Sequence, residues 1–466
     1  MEPPTPGRPG LRVAFVTPSF HSLEPGWWRF PQIVKLAAPT LAGYLRERGV
    51  ADLSLHDFEV QGFDALRRDP RRFRFEDFFD DARVDQTLAE GEGGLWGQAE
   101  QLLDLLEVRE ADVYALSCAS VIGRFAEMHA VGNLCLCLAQ VLKARQPGAC
   151  VVVGGLQISP ESRQREEYRG MLARCTALDV AVIGRGELPL LHVVNTQGDP
   201  GGAGGEPHGF SLPEGESLDI ESGVHGRIYQ WHSGVYVDPA SDQGDAPGAP
   251  PGSEASSAGG ASLDERPEGA HKRARLNNPS VFVTPCFDAR SMNARATSSA
   301  ALLERYHLGA HGHALGARDD DRVLVAPMIF QEGCNARCAF CGYGMTRMVR
   351  RDPKDVVRAI ASIQEAHDVH SFHFLNTNIN GSYAYADAFM DEVIAARLNI
   401  QWSDCANLRA VDERLLVKAR ESGAIRFTWG LEYPSDRLLK VIHKGIDVRR
   451  ARERLKLAHD MGFWNQ

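Results

Sequence analysis

The chain has 466 residues, enough for two or three domains each with a proper core. With 44% hydrophobic and 24% charged residues it is composed like an ordinary globular protein, and no apolar run approaches the ~18 residues of a membrane span. Its 51 basic and 61 acidic side chains give a net charge of −10, which argues against a general nucleic-acid binder. Ten cysteines, mostly scattered, behind a start with no signal pattern (Met1–Gly7) point to the cytoplasm rather than a disulfide framework.

The first 200 residues alternate short β-type runs with helical stretches, which predicts an α/β fold with a doubly wound, Rossmann-like parallel sheet. Strands are expected at Arg12–Thr17, Asp52–Asp57, Asp112–Ser117, Cys150–Gly154 and Asp179–Ile183. Lys35–Arg48 carries Leu36, Leu41, Tyr44 and Leu45 at helical spacing and stops at Gly49; Phe125–Arg145 is a second long helix, closed by Pro147-Gly148. Gly154 and Gly155 fall at the carboxyl end of the fourth strand, where open α/β sheets bind ligands, and Gly184-Arg185-Gly186-Glu187 ends the fifth. With Ser117 after the third strand, this order resembles a cobalamin-binding domain. The resemblance implies bound cobalamin beside Gly154 and Gly155, although a glycine pair serves tight packing equally well. It departs from the pattern after the first strand. Cobalt-ligating members carry Asp-x-His-x-x-Gly there, whereas this chain has Thr17-Pro18-Ser19-Phe20-His21-Ser22, and His21 reads as a solvated loop histidine.

The composition then shifts. Asp238–Gly269 is rich in Gly, Pro, Ala, Ser, Asp and Glu with almost no large apolar residues, which predicts a disordered insertion. Arg227–Tyr236 alternates like a hairpin ahead of it. The expected domains are 1–200, a linker at 201–285 containing hairpin and insertion (238–269), and 286–466.

From Arg322 the strand/helix alternation resumes, predicting a partial (β/α) barrel. Val323–Met328 is a strand, and a loop with Cys334, Cys338 and Cys341 follows at its carboxyl end, where such barrels build their sites. Asp352-Pro353 opens a helix to His367. Strands at His370–Leu375, Ile400–Asp404 and Ile425–Gly430 follow, with helices at Ala384–Ala396, Asp412–Ser422 and Arg437–His443. The spacing C-x3-C-x2-C offers three thiolates for a 4Fe–4S cube and leaves its fourth iron open. A structural zinc would need a fourth ligand; His367, His370, His373 and Cys405 are the candidates downstream, and none forms a second thiol pair.

The cysteine run, with aromatic Phe340 just before the last thiol, resembles the signature of radical S-adenosylmethionine (radical SAM) enzymes. The resemblance implies a 4Fe–4S cluster on Cys334, Cys338 and Cys341, S-adenosylmethionine chelated to the open iron, and one-electron release of a 5′-deoxyadenosyl radical. It places Phe340 and Tyr343 beside cluster and adenine, Asn376 and Asn378 at the methionine amino end, and the Gly430-Leu431-Glu432 and Lys444-Gly445 turns near the ribose and carboxylate. Read alone, Asn376 and Asn378 are equally turn formers, Glu432 a helix N-terminal acid and Lys444 a surface charge. Cys405 reads as a core thiol before a catalytic one.

The family normally has six βα units; the barrel here is expected to be truncated after four, at Met461–Gln466. With a cobalamin-type domain in front, the implied activity is radical methyl transfer to an unactivated carbon. It would act on a small-molecule or peptide substrate and be fed by a flavodoxin- or ferredoxin-type one-electron reductase. Neither nucleic acid nor membrane is expected as a partner. The alternative is a catalytically silent fragment, or a cluster-bearing protein that binds a ligand or partner.

Overall fold

The computed structural model describes residues 10–18, 37–58, 73–119, 125–156, 161–196, 217–223, 225–232, 284–287, 297–298, 322–323, 325–341 and 348–466. His21, Tyr343 and the 238–269 insertion lie outside them. The chain divides into two compact units, Met1–Ser233 with Val283–Arg295, and Gly234–Phe282 with Ala296–Gln466.

The first unit is built on β1 (Arg12–Thr17), β2 (Asp52–Asp57), β3 (Val113–Ser117), β4 (Cys150–Gly154) and β5 (Val180–Ile183). These strands are parallel in the order β2-β1-β3-β4-β5. The inner strands are buried on both faces and apolar, whereas β2 at the edge carries Asp52, Ser54, His56 and Asp57 and is mostly part-exposed. Alternate residues still divide between the faces: Val13 and Phe15 join one core, Ala14 and Val16 the other. The first face is packed by α1 (Ala37–Glu47) and a helix at Glu187–Thr196. On the second lies Phe125–Arg145, whose Leu134, Cys135, Leu136, Cys137, Leu138 and Ala139 are all fully buried. A helix apolar all round must be covered on every side. Here the outer cover is two helices absent from the sequence expectations, Asp81–Glu90 and Gly94–Leu105, which pack against it. The strand order reverses between β1 and β3, which makes their carboxyl ends the switch point of the sheet.

Of the stretch Arg227–Tyr236 expected as a hairpin, Arg227–His232 is a single strand of this sheet, and its hairpin partner lies before it. The two strands are β6 (Ser217–Ser222) and β7 (Arg227–His232), and β7 runs parallel to β5, so Ile228, Tyr229 and Trp231 become buried.

In the second unit β8 (Val325–Met328), β9 (Ser371–Phe374), β10 (Gln401–Ala406), β11 (Ala424–Trp429) and β12 (Trp464–Asn465) form one parallel sheet in that order. Four βα units are present as expected. The sheet does not stop with them, because β12 pairs with Arg426–Phe427 as a short fifth strand. The connecting helices include Pro353–His367, capped by the Asp352 carboxylate on the Lys354 N–H at 2.9 Å, Tyr383–Ala396 and Glu413–Glu421. A chain of aromatic contacts forms the core: Phe330 on Phe374 at 4.9 Å, Phe374 on Trp402 at 5.6 Å, Trp402 on Phe427 at 5.7 Å and Phe427 on Phe463 at 5.3 Å. Among the described residues no helix is long and apolar enough to cross a membrane.

Candidate active site

The cysteine loop leaves the carboxyl end of β8. A two-residue antiparallel pairing, Gln331 with Arg350 and Glu332 with Val349, fixes where it departs and returns. Gly333, at φ 87°, then turns the chain into Cys334 in a backbone conformation that favours glycine. Cys334 is buried, Cys338 and Cys341 are half-exposed, and all three are free thiols. The Ala336 N–H points at Cys334 Sγ at 3.4 Å, a donor suited to a thiolate. The Cys341 N–H donates to the Cys338 carbonyl at 3.1 Å, and the Ala339 N–H donates to the Ile442 carbonyl at 3.0 Å, which ties the loop to the turn before Lys444. The three sulfurs are not gathered round one point: among the described residues no group of three His, Cys, Asp or Glu side chains is placed to hold an ion. The donor set fits three corners of an iron–sulfur cube, three unbridged thiols on one short loop with a backbone N–H aimed at the buried one. Two of the four further zinc candidates are engaged within the protein. His370 pairs with Asp368 and Gln364, and His373 Nδ1 lies 2.8 Å from Ser403 Oγ. Burial pushes His373 down to about 4, so it is a neutral core residue.

Beneath the loop lies a buried polar chain. Asn376 Oδ1 accepts from the Phe330 N–H at 2.9 Å and the Gln331 N–H at 2.8 Å, and its Nδ2 donates to Asp404 Oδ2 at 2.7 Å. Asp404, at the end of β10, is fully buried; desolvation pushes its carboxyl up to about 8, against the hydrogen bonds from Asn376 and the Cys405 N–H. The amide of Asn376 is thus engaged inward, as a brace under the start of the loop. Asn378 is buried as well, but its Oδ1 has no partner among the described residues, while its carbonyl accepts from Gln331 Nε2. Asp404 and Gln331 were missed in the sequence. An acid inside an apolar strand is a usable signal for the first; nothing marks the second.

Glu432, Lys444 and Phe340 come together. Lys444 Nζ is 2.8 Å from Glu432 Oε1 and 5.6 Å from the Phe340 ring centroid. Phe340 is 56% exposed although it is a large aromatic, whereas the Lys444 side chain is only 11% exposed. Glu432 takes a left-handed conformation (φ 71°), and a Cβ on Gly430 would stand 2.9 Å from Lys444 Nζ, so the glycine makes room for the pair.

In the first unit Gly155 is left-handed (φ 87°), and a Cβ there would press on the Ala119 nitrogen and Ser117 Oγ at 3.3 Å. Gly154 accepts from the Cys118 N–H at 2.7 Å, while a Cβ on it would meet Val182 at an ordinary 3.6 Å. Only the second glycine is required by its backbone. Arg185 and Glu187 of the next turn are ion-paired at 2.7 Å and nearly buried.

Residues 328–465 match the family profile described as Radical SAM superfamily, and this segment is a radical SAM domain. Among curated proteins the chain is 27% identical over 143 residues to cytidylyl-2-hydroxyethylphosphonate methyltransferase of Streptomyces wedmorensis, covering 30% of this chain and 27% of that protein. It is 30% identical over 132 residues to the anaerobic magnesium-protoporphyrin IX monomethyl ester cyclase of Synechocystis sp., covering 28% and 26%. The chain thus spans about a quarter of the length of these relatives. Among solved structures, the radical S-adenosylmethionine methyltransferase TsrM from Kitasatospora setae, with tryptophan and a SAM analogue bound, superposes with a TM-score of 0.53 at 16% identity. That match covers 97% of this chain and 66% of TsrM. The cobalamin-dependent radical enzyme OxsB, with aqua-cobalamin and S-adenosylmethionine bound, gives 0.52 at 15%, covering 98% and 49%. At such identities these likenesses establish the fold, a Rossmann-like sheet followed by a radical SAM-type partial barrel.

Proposed function

We propose that the chain is a radical SAM enzyme in which Cys334, Cys338 and Cys341 hold a 4Fe–4S cluster with one open iron, and that it methylates a small-molecule or peptide substrate with cobalamin held by the first unit. The observation that carries this reading is the trio of free thiols on one loop at the carboxyl end of β8, inside the matched segment. Cluster and S-adenosylmethionine together supply one-electron cleavage of a carbon–sulfur bond. The chain's own residues position the parts. Asp404 holds Asn376, and Asn376 holds the Phe330 and Gln331 amides from which the loop departs. Glu432 and Lys444 present an acceptor and a cation side by side, matched to the two charged ends of a zwitterion. Phe340 offers an exposed ring beside them for stacking. Gly155 makes the tight left-handed turn after β4, packed against Ser117 and Ala119, at the ligand-binding edge of the first sheet. Low-potential electrons would come from a flavodoxin- or ferredoxin-type donor in a reducing cytoplasm.

The test is an electron paramagnetic resonance spectrum of the anaerobically reconstituted, reduced protein, with and without S-adenosylmethionine. A reduced 4Fe–4S signal that shifts with the cofactor is expected, and Cys338→Ala should lose both cluster and S-adenosylmethionine cleavage. Cleavage retained in that variant would sink the assignment.

A further inference from the structure

On the other side of the Lys444 turn lies a cleft of about 680 Å³ that Phe340, Glu432 and Lys444 do not line. Its walls carry Arg337 from the cysteine loop, Arg409 from the turn after β10, and Lys440 and Arg450 from the helices Asp436–Val441 and Val448–Asp460. Two acids, Asp436 and Asp447, also line it, but both serve the helix start: Asp436 accepts from the Val448 N–H at 2.7 Å and Asp447 from the Arg450 N–H at 2.8 Å. Arg450 stays near Asp447 at 3.5 Å. Arg337 and Lys440 form no ion pair among the described residues. Arg409 lies along the backbone of Gly445, which is left-handed at φ 71°; a Cβ there would stand 3.0 Å from Arg409 Cδ. Arg409 is one of the residues lining the cleft, and its Nε is buried with no hydrogen-bond partner among the described residues.

In a chain of net charge −10, four cationic side chains line this cleft against two carboxylates, one of which lies 3.5 Å from Arg450. Guanidinium and ammonium groups converging on a concavity suit a compact, multiply charged oxyanion. The volume falls within the ~300–1,000 Å³ usual for small-molecule sites, and a concave wall favours a small ligand over a protein face. We propose that this cleft is a binding subsite for a phosphate-type oxyanion, free or carried by a substrate. It rests on the cleft alone, so its failure and that of the cluster assignment are separate results.

The experiment is calorimetric titration of the full chain, in chloride buffer, with inorganic phosphate and with glycerol 3-phosphate as a phosphomonoester probe. Saturable one-to-one binding is expected, weakened about tenfold or more in each of Arg409→Gln and Lys440→Gln, as loss of one charge-assisted contact implies. Arg337→Gln, on an exposed loop position where misfolding is not at issue, should weaken it as well. Tighter binding of the ester would assign the anion to a substrate, equal binding to free phosphate, and both support the site. No saturable binding overturns the proposal, as do titrations unchanged in all three variants. Salt-sensitive capture of an acidic protein without phosphate binding also overturns it, making the cleft a partner face.

Discussion

Asp404 is where a single side chain matters most to the candidate site. Its carboxyl is pushed from 3.8 up to about 8 because burial outweighs its two hydrogen bonds, so at neutral pH it is mostly the uncharged acid. Between those two values the unfolded chain has lost the proton and the folded chain keeps it. Stability therefore falls as pH rises from about 4 to about 8 and levels off above. Asp404→Asn cannot titrate, and it turns an amide donor towards either Asn376 Nδ2 or the Cys405 N–H. It should cost about 1–3 kcal/mol near pH 5 and distinctly less near pH 8.5, read from urea unfolding at the two pH values. A difference that stays constant with pH would mean that Asp404 is ionised in the folded protein. The same network shows what the sequence could and could not tell. The cysteine trio was visible as a candidate because three thiols at that spacing have few other uses. The brace was not, because Asn376 finds Asp404 28 residues away, and only the sheet register brings them together. The resemblance implied that Asn376 serves the methionine amino end, whereas its Oδ1 accepts from two backbone amides.

At the scale of elements, the inner strands of the first sheet were easy to read, since burial on both faces makes them continuous apolar runs bounded by turn residues, unlike the mixed edge strand β2. The helices Asp81–Glu90 and Gly94–Leu105 were harder, because their job is to cover another helix rather than a sheet. The clue lay in Phe125–Arg145, which is too apolar on all sides for a helix with one solvent face. Truncating that helix where it is fully enclosed, as in Leu138→Ala, should cost about 2–5 kcal/mol, measured by denaturant unfolding. A turn gives a sharper case. Gly423 ends the helix Glu413–Glu421 at φ 93°, a Cβ on it would run into the Ile400 carbonyl, and its own carbonyl accepts from the Trp402 N–H at 2.9 Å. Gly423→Ala should cost at least about 2 kcal/mol and disturb the β10/β11 pairing beneath Asp404, visible as faster amide exchange at Trp402. Unchanged exchange there would show that the turn relaxes locally.

Across the whole molecule, both sheets place their candidate ligand groups beyond the carboxyl ends of parallel strands, where helix N-termini and loop backbones converge. In the second sheet these are the cysteine loop, Asn378 and Glu432; in the first they are Gly155 and the Arg185–Glu187 pair, with Ser117 the last residue of β3. Each unit has its own buried core, the first on the two faces of its sheet and the second around its chain of aromatic rings, and a ligand held by the first unit alone would have no need of a cluster in the second. On the cobalamin reading, the full chain should therefore take up hydroxocobalamin with a saturable change in its visible absorption, and Cys338→Ala should take it up equally well. Gly155→Val adds a branched side chain where even a Cβ meets Ala119 and Ser117 at 3.3 Å, in a backbone conformation that valine resists. Uptake in that variant should fall at least about tenfold while the cluster signal of the second unit is unchanged. If wild type shows no saturable uptake, the first unit does not bind cobalamin, and the methyl-transfer reading falls while the cluster assignment stands. If uptake instead disappears in Cys338→Ala, the two ligand sites depend on each other, and the separation drawn from the two cores fails.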